Sequence, residues 1–436
     1  MKVGTGIFRK AGFVTVFALI SILQRCGIQE YTPNEKSVSQ ILKTLSSDQM
    51  KGRQALSPEI WEAASYISSK FNKAGLTSLQ ENEDYLQTFN LIEIGIATSS
   101  FTINNREIPS DHYFAFLNGS NVNWQNGEVE VAEIKEEENF RQAFREFRET
   151  ERDLLVFVDP SASNIFNRFQ NFFSRPQRVF EGESNPNIVF VIGTISDNYE
   201  VNITPEITSH ELANVTGVIE GKRKDEFVLF SAHYDHIGVR PAVQGDSIAN
   251  GANDNASGVT AVIELAKHFK SLGKPERTLI FTTFTAEEMG GFGSRYFSEQ
   301  LDPDQIVAMF NIEMIGKPAV SGPNTAWITG YDRSDFGELL SKSTEGTDYE
   351  FYPDPYPQQN LFFRSDNATL ARLGVPAHTI STTPIDVDKD YHAVTDEYET
   401  INVSHLTNTI KAIAKAARGI VSGEDTPTRV DVSLID

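Results

Sequence analysis

Glu226-Phe227-Val228-Leu229-Phe230-Ser231-Ala232-His233-Tyr234-Asp235-His236 runs from an apolar stretch directly into two histidines and an aspartate. Glu226–Ala232 is short, apolar and rich in β-formers, the signature of a buried strand. Arg277–Phe284, Ile306–Ile312 and Ala377–Ser381 have the same texture. Helical periodicity lies between and after them. Val259, Val262, Ile263, Ala266 and Phe269 keep it within Ala256–Phe269, and Leu406, Ile410, Ile413, Ala417 and Ile420 keep it in the last helix. Buried strands alternating with amphipathic helices predict an α/β fold, a mostly parallel mixed sheet with helices on both faces.

Upstream, Val38–Leu45 has a short helical pattern. Pro58–Ala74 has a clearer one, with Ile60, Ala64, Ile67 and Phe71 on one face and Gly75 as its stop. Residues 96–210 differ: short alternating runs such as Phe101–Ile103 are broken by Asn, Gly and Pro. Asn139–Thr150 reads as a charged helix, and Leu154–Val158 and Ile188–Ile192 as buried strands. This stretch is expected to be a smaller inserted subdomain, α+β or β-rich. Residues 26–95 and 211–425 then form the main domain, and 426–436 a C-terminal tail. Phe166, Phe169, Phe172 and Phe173 are expected to pack in the insert's core, with a hydrophobic lid over a cleft as the alternative.

The formal net charge of -22 argues against binding nucleic acid or an anionic membrane surface. The single cysteine, Cys26, excludes an intrachain disulfide and a thiolate-rich zinc site, so metal ligands must be His and carboxylate. Lys2, Arg9 and Lys10 precede the apolar run Ala11–Leu23, which is of signal-peptide length and short for a membrane span. Residues 1–25 are therefore expected to be an export signal. Cys26 at its end resembles a bacterial lipoprotein attachment site, although Gln24 and Arg25 stand where small residues are usual. An ordinary cleaved signal with an incidental Cys26 is the alternative.

Five segments carry chemistry, each where a strand ends, a helix begins or a polar loop runs. They are Ser231–His236, Gly251–Gly258, Ala286-Glu287-Glu288, Asn311–Gly316 and Asp390-Tyr391-His392. Taken singly each has a plain structural reading: a hydrogen-bonded His, an N-capping Asp254, a solvated Glu pair. Open α/β sheets, however, bind ligands outside the carboxyl ends of their strands, so these segments converge on one crevice. Their histidines and carboxylates suit Zn²⁺.

In order and type these motifs resemble the zinc aminopeptidase and glutamate-carboxypeptidase-like family of two-metal exopeptidases: H-x-D, a D-N-A-S-G-type turn, E-E, an acidic residue before M-I-G, and a late His. The resemblance runs from about Val38 to Val421 and includes Lys51-Gly52-Arg53. It implies two Zn²⁺ ions per chain and peptide substrates. His233 and Glu313 would bind one ion, Glu288 and His392 the other, and Asp254 would bridge them. Glu287 would be the general base, Asp235 would orient His233, and Tyr391 would hydrogen-bond the oxyanion. Many relatives carry Asp where this chain has Glu313. Ser365-Asp366-Asn367 resembles a segment bordering the substrate pocket. His236 is left between a substrate contact and a structural hydrogen bond, and His112, His210, His268, His378 and His405 read as structural or surface residues. An aminopeptidase is the expectation. Carboxypeptidase or dipeptidase action, a one-zinc glutaminyl-cyclase-like acyltransferase and a non-catalytic relative of the fold are the alternatives.

Overall fold

In the computed structural model of the chain, residue 1 and residues 30–79, 84–136 and 138–435 are described. Apart from Met1, the expected export signal and Cys26 lie outside the described residues. The main sheet has eight principal strands: β1 (Leu86–Ile103), β2 (Tyr199–Ile219), β3 (Arg223–His233), β4 (Arg277–Phe284), β5 (Ile306–Ile312), β6 (Thr325–Ile328), β7 (Glu350–Pro353) and β8 (Ala377–Ser381). Their order across the sheet is β7-β6-β8-β5-β3-β4-β2-β1. The central four, β8, β5, β3 and β4, are mutually parallel. Antiparallel pairs flank them, β6 on β8 and β2 on β4, so the sheet is mixed around a parallel centre.

The central strands read as continuous apolar runs because both faces are covered. On one face Val228 and Phe230 pack with helices α1 (Glu35–Leu45), α2 (Glu59–Ala74), α3 (Gly258–Ser271) and α5 (Val403–Ala416). Leu229 and Ile280 turn the other way, onto Phe297 of α4 (Phe292–Glu299) and Leu370. Gly75 ends α2 at φ 79, the left-handed turn the sequence signalled. Helix α3 starts at Gly258, two residues beyond the expected Ala256, because an irregular turn precedes it.

Strands β1 and β2 continue past the main sheet as an antiparallel ribbon, and the expected insert limits, residues 96 and 210, fall within them. Between them lies a separate sheet in the order Tyr113–Phe116, Ile188–Ile192, Leu154–Val158, Glu130–Ile134, with helices Phe140–Arg148 and Ser163–Phe173. Phe166 is fully buried there among Phe114, Phe140 and Phe190, with Phe169 and Phe173 packed against them. Phe172 instead remains 65% exposed.

Candidate metal centre and active site

The parallel registers Ser231↔Thr282, Phe230↔Phe310 and Asn311↔Thr379 bring the carboxyl ends of β3, β4, β5 and β8 to one edge. The connection into α3 meets them there. In that connection Asn255 accepts from the backbone N–H of Gly258 (3.0 Å) and Met314 (3.2 Å), and donates to Ile312 O (3.0 Å). Ser257 Oγ donates to Asn253 O (2.7 Å) and accepts from Ile315 N (3.1 Å). A Cβ at Gly258 would collide with the Ile312 carbonyl, so only glycine fits. The Asn-Ala-Ser-Gly sequence thus welds the Asp254 turn to the Glu313 loop. Asp396 completes it, accepting from the N–H groups of Asn253 (2.9 Å) and Asp254 (2.9 Å).

Ligand-type atoms of His233, Asp254 and Glu313 lie within 4.8 Å of one another, as do those of His236, Asp254 and Glu288. Asp254 is common to both groups, with Oδ1 3.4 Å from His233 Nε2. His392 Nε2 approaches from the cleft, 3.1 Å from Glu288 Oε2 and 3.3 Å from Asp254 Oδ2. Its ring stacks on Tyr391 at 4.0 Å. Buried His236 faces Glu288 from the inner side, Nδ1 to Oε1 2.9 Å. Four buried atoms in these groups, His233 Nε2, His236 Nε2, Asp254 Oδ2 and Glu313 Oε2, have no hydrogen-bond partner among the described residues. Buried polar atoms are nearly always satisfied. Four orphans at the sites of two overlapping His–carboxylate groups fit a metal, and the oxygen–nitrogen donor set fits zinc.

Charges at this edge shift strongly. Burial alone would push Asp254 up, but His236, His233 and His392 hold it well below the usual carboxylate range. Burial and the neighbouring Glu313, Asp366 and Glu288 raise Glu287 well above it, against the pull of His233. Glu313 is raised to about 7, by burial and by Asp254 and Asp366. Burial lowers His392, but Asp254 and Glu288 outweigh it and raise the ring to about 10. Such carboxylate crowding favours a bound cation.

Three of the loops that meet here also carry a non-glycine residue in the left-handed region: Ala286 (φ 57), Met314 (φ 54) and His392 (φ 55). Each conformation costs about 1 kcal/mol or more and persists only where its surroundings over-determine it. At Met314 they do. Its carbonyl accepts from the backbone N–H of Thr382 (3.3 Å) and Thr383 (3.2 Å) and from the hydroxyls of Ser381 (3.1 Å) and Thr383 (2.7 Å).

All eight residues expected at the site meet at this edge. Asp235 works differently from the expectation. Its main-chain carbonyl lies 3.1 Å from His233 Nδ1, whereas its carboxylate stands 3.9 Å from that nitrogen. The carboxylate accepts instead from the N–H groups of Glu287 (3.1 Å) and Glu288 (3.3 Å), fixing the backbone of the glutamate pair. Sequence reasoning gave no role to Asp396 and none to Arg53 beyond its motif. Arg53 is 1% exposed. Its guanidinium donates to the carbonyls of Leu45, Tyr234 (2.8 Å), Asn250 (2.6 Å) and Gly251 (3.0 Å). Asp366 is buried with both oxygens unpartnered, and Ser365 lines the pocket that also holds Glu313, Trp327 and Tyr391.

The model of peptidase family M28 matches residues 214–417. Leucine aminopeptidase 2 of Trichophyton equinum is 26% identical over 258 residues, which cover 53% of this chain and 49% of that protein. The chain thus spans about half the length of the curated relatives it matches. Among solved structures, the zinc aminopeptidase BSAP from Bacillus subtilis superposes with a TM-score of 0.55 at 17% identity, covering 91% of this chain and 98% of that one. The aminopeptidase from Aneurinibacillus sp. strain AM-1 gives 0.53 at 18% identity, covering 93% and 97%. These two likenesses bear out the α/β fold.

Proposed function

The chain belongs with the zinc-aminopeptidase-like exopeptidases, its residues 214–417 matching peptidase family M28, and from this we propose that it is an exported aminopeptidase using two zinc ions. The carrying observation is the pair of His–carboxylate groups that share Asp254. In this reading His233, Asp254 and Glu313 hold one ion, and Asp254, Glu288 and His392 hold the other. His236 keeps Glu288 in place from the inner side. Bound zinc supplies Lewis acidity, polarising the scissile carbonyl and acidifying the attacking water.

The chain's own groups do the rest. Glu287 lies beside His233 and Glu313, takes the proton of the attacking water and passes it to the leaving amine. Asp235 holds the Glu287–Glu288 backbone through two N–H bonds, which keeps the base and its ligand neighbour in fixed relation. Tyr391, stacked on His392, donates its hydroxyl to the developing oxyanion. The pocket between Trp327, Thr329, Leu361, Ile385 and Tyr391 takes the first side chain of the substrate. The leader-like residues 1–25 and Cys26 support export and attachment to a membrane by a lipid on that cysteine.

Elemental analysis of zinc-equilibrated protein, with hydrolysis of aminoacyl and N-blocked peptides, tests the activity. Two ions per chain and cleavage only of free amino termini are expected. One ion with cyclisation of N-terminal glutamine would replace this reading by the cyclase-like one. Mass spectrometry of the native N-terminus tests export and the lipid. An intact Met1 on a cytoplasmic protein would refute both.

A further inference from the structure

Two clefts, of about 530 and 520 Å³, flank the glutamate pair: Glu287 lines one and Glu288 the other. Arg295 lines both, so the two clefts adjoin; one runs between α4 and residues 363–373, the other borders the inserted subdomain, and together they make up a trough beside the glutamate pair. Six arginines line it, Arg295, Arg364, Arg372, Arg148, Arg175 and Arg178, and no lysine does. The opposing acids, apart from the glutamate pair itself, are Glu183 and Glu299. Over the whole chain Asp and Glu outnumber Lys and Arg, 60 to 38, so the trough inverts the charge balance of the molecule.

The arginines are also held in an unusual way. Among the described residues Arg178 alone of the six has a salt bridge, to Glu93 at 3.0 Å. Others rest on aromatic faces: Arg148 over Phe116 (3.4 Å), Arg295 over Phe180 (4.9 Å) and Arg372 over Phe363 (5.0 Å). Stacking fixes a guanidinium by its plane and leaves its in-plane N–H donors free, in the fork geometry that matches a carboxylate.

We propose that this trough holds the downstream part of the substrate, and that the substrate is a peptide carrying several acidic side chains beyond the bond to be cut. The inference rests on the aminopeptidase reading above. Because Glu287 and Glu288 line the trough, the chain lying in it is the one being cleaved. Carboxylates recur along an acidic peptide at a spacing that several separate arginines can follow, and the trough's charge draws such a peptide toward the site.

The test uses the full zinc-loaded chain in two arms. In the first, kcat/KM is measured for peptides that begin Leu-Ala and continue with a run of Glu, Gln or Lys. The order Glu, Gln, Lys is expected, with Glu about ten-fold over Gln at low ionic strength and the gap closing near ~1 M salt. In the double variant Arg175→Gln, Arg372→Gln the Glu-to-Gln ratio should fall toward one, while Arg→Lys at both positions retains part of it. In the second arm, a fluorescent oligoglutamate blocked at both ends is titrated against wild type and the double variant, with oligolysine as control. Saturable oligoglutamate binding that the double variant loses is expected. A flat cleavage series, or equal oligoglutamate binding by wild type and variant, overturns the acidic trough. Failure to cleave any free-amine peptide, with oligoglutamate still bound and lost in the variant, refutes the aminopeptidase reading and leaves the acidic trough standing.

Discussion

Replacing Arg53 by Met removes a buried cation that forms no salt bridge among the described residues and whose four hydrogen bonds all go to backbone carbonyls. Those carbonyls belong to Leu45 at the end of α1, Tyr234 just after β3, and Asn250 and Gly251 before the Asp254 turn. A hydrogen bond to a charged group contributes ~1.5–3 kcal/mol, and a buried acceptor left unpaired costs ~1–3 kcal/mol. Four such bonds would sum to more than is realised, because the guanidinium's own desolvation offsets part of it. A loss of about 3–5 kcal/mol is expected, a large share of the ~5–15 kcal/mol that holds a typical domain. Urea unfolding followed by tryptophan fluorescence measures it, read at constant m. Calorimetric zinc titration supplies the second reading, for two effects oppose each other there. Losing a positive charge near Asp254, Asp396 and Asp235 favours a dication, whereas freeing the loops that carry His233 and Asp254 disfavours it. Positioning should win, with zinc affinity falling about 10–100-fold, the range seen when supports of metal ligands are removed. Arg53→Lys should recover only part of both losses, since an ammonium cannot span four carbonyls. A destabilisation under ~1 kcal/mol would refute the clamp, and tighter zinc binding would show that Arg53 acts through its charge.

Other tests bear on the site and on acid stability. Glu287→Gln should lower kcat by ~10²–10⁴-fold with zinc content unchanged, and Glu288→Gln should lower zinc content as well; the reverse pattern in assays of metal and rate would exchange their roles. His392→Ala should lose one zinc, whereas His236→Ala should keep both ions with weakened affinity for one. Elemental analysis showing the opposite would make His236 the ligand. His378 is buried and neutral, Nδ1 bonded to Thr329 O (2.8 Å) and Nε2 to Ser334 Oγ (2.7 Å), and burial pulls its pKa down to about 4. An unfolded imidazole titrates near ~6.5, so below that pH the unfolded chain takes up a proton that the folded chain refuses, and stability falls as pH drops. This one ring should contribute about 3 kcal/mol of loss by pH ~4; urea midpoints of His378→Asn that fall with pH as steeply as wild type would contradict it.

The central strands were legible because a strand buried on both faces must be an unbroken apolar run, as in Arg277–Phe284. Of the proposed ligands, His233, Glu288 and Glu313 were legible because they sit within a few residues of those strand ends, whereas Asp254 and His392 lie farther along, in the turn before α3 and in a polar loop. Arg53 was not, since its partners are carbonyls, which leave no trace in side-chain sequence. Asp396 caps the backbone of a turn some 140 residues upstream, a pairing with no local spacing to read. Asp235 lies beside His233 as expected from H-x-D, but its carboxylate accepts from the N–H groups of the glutamate pair at the next strand end, and nothing in H-x-D reveals that. Phe172 shares its helix with core residues yet faces the trough, and the weak periodicity of the segment leaves its face undefined.

The ribbon of β1 and β2 has a mechanical consequence. The inserted subdomain borders the cleft beside Glu288, yet it is carried by two long paired strands rooted in the main sheet, not by flexible linkers. A beam of that kind resists hinge bending, so the subdomain acts less as a door than as the fixed jaw of a caliper. On the aminopeptidase reading proposed above, a fixed opening of this kind would admit a frayed tail and leave outside a terminus packed against its own fold.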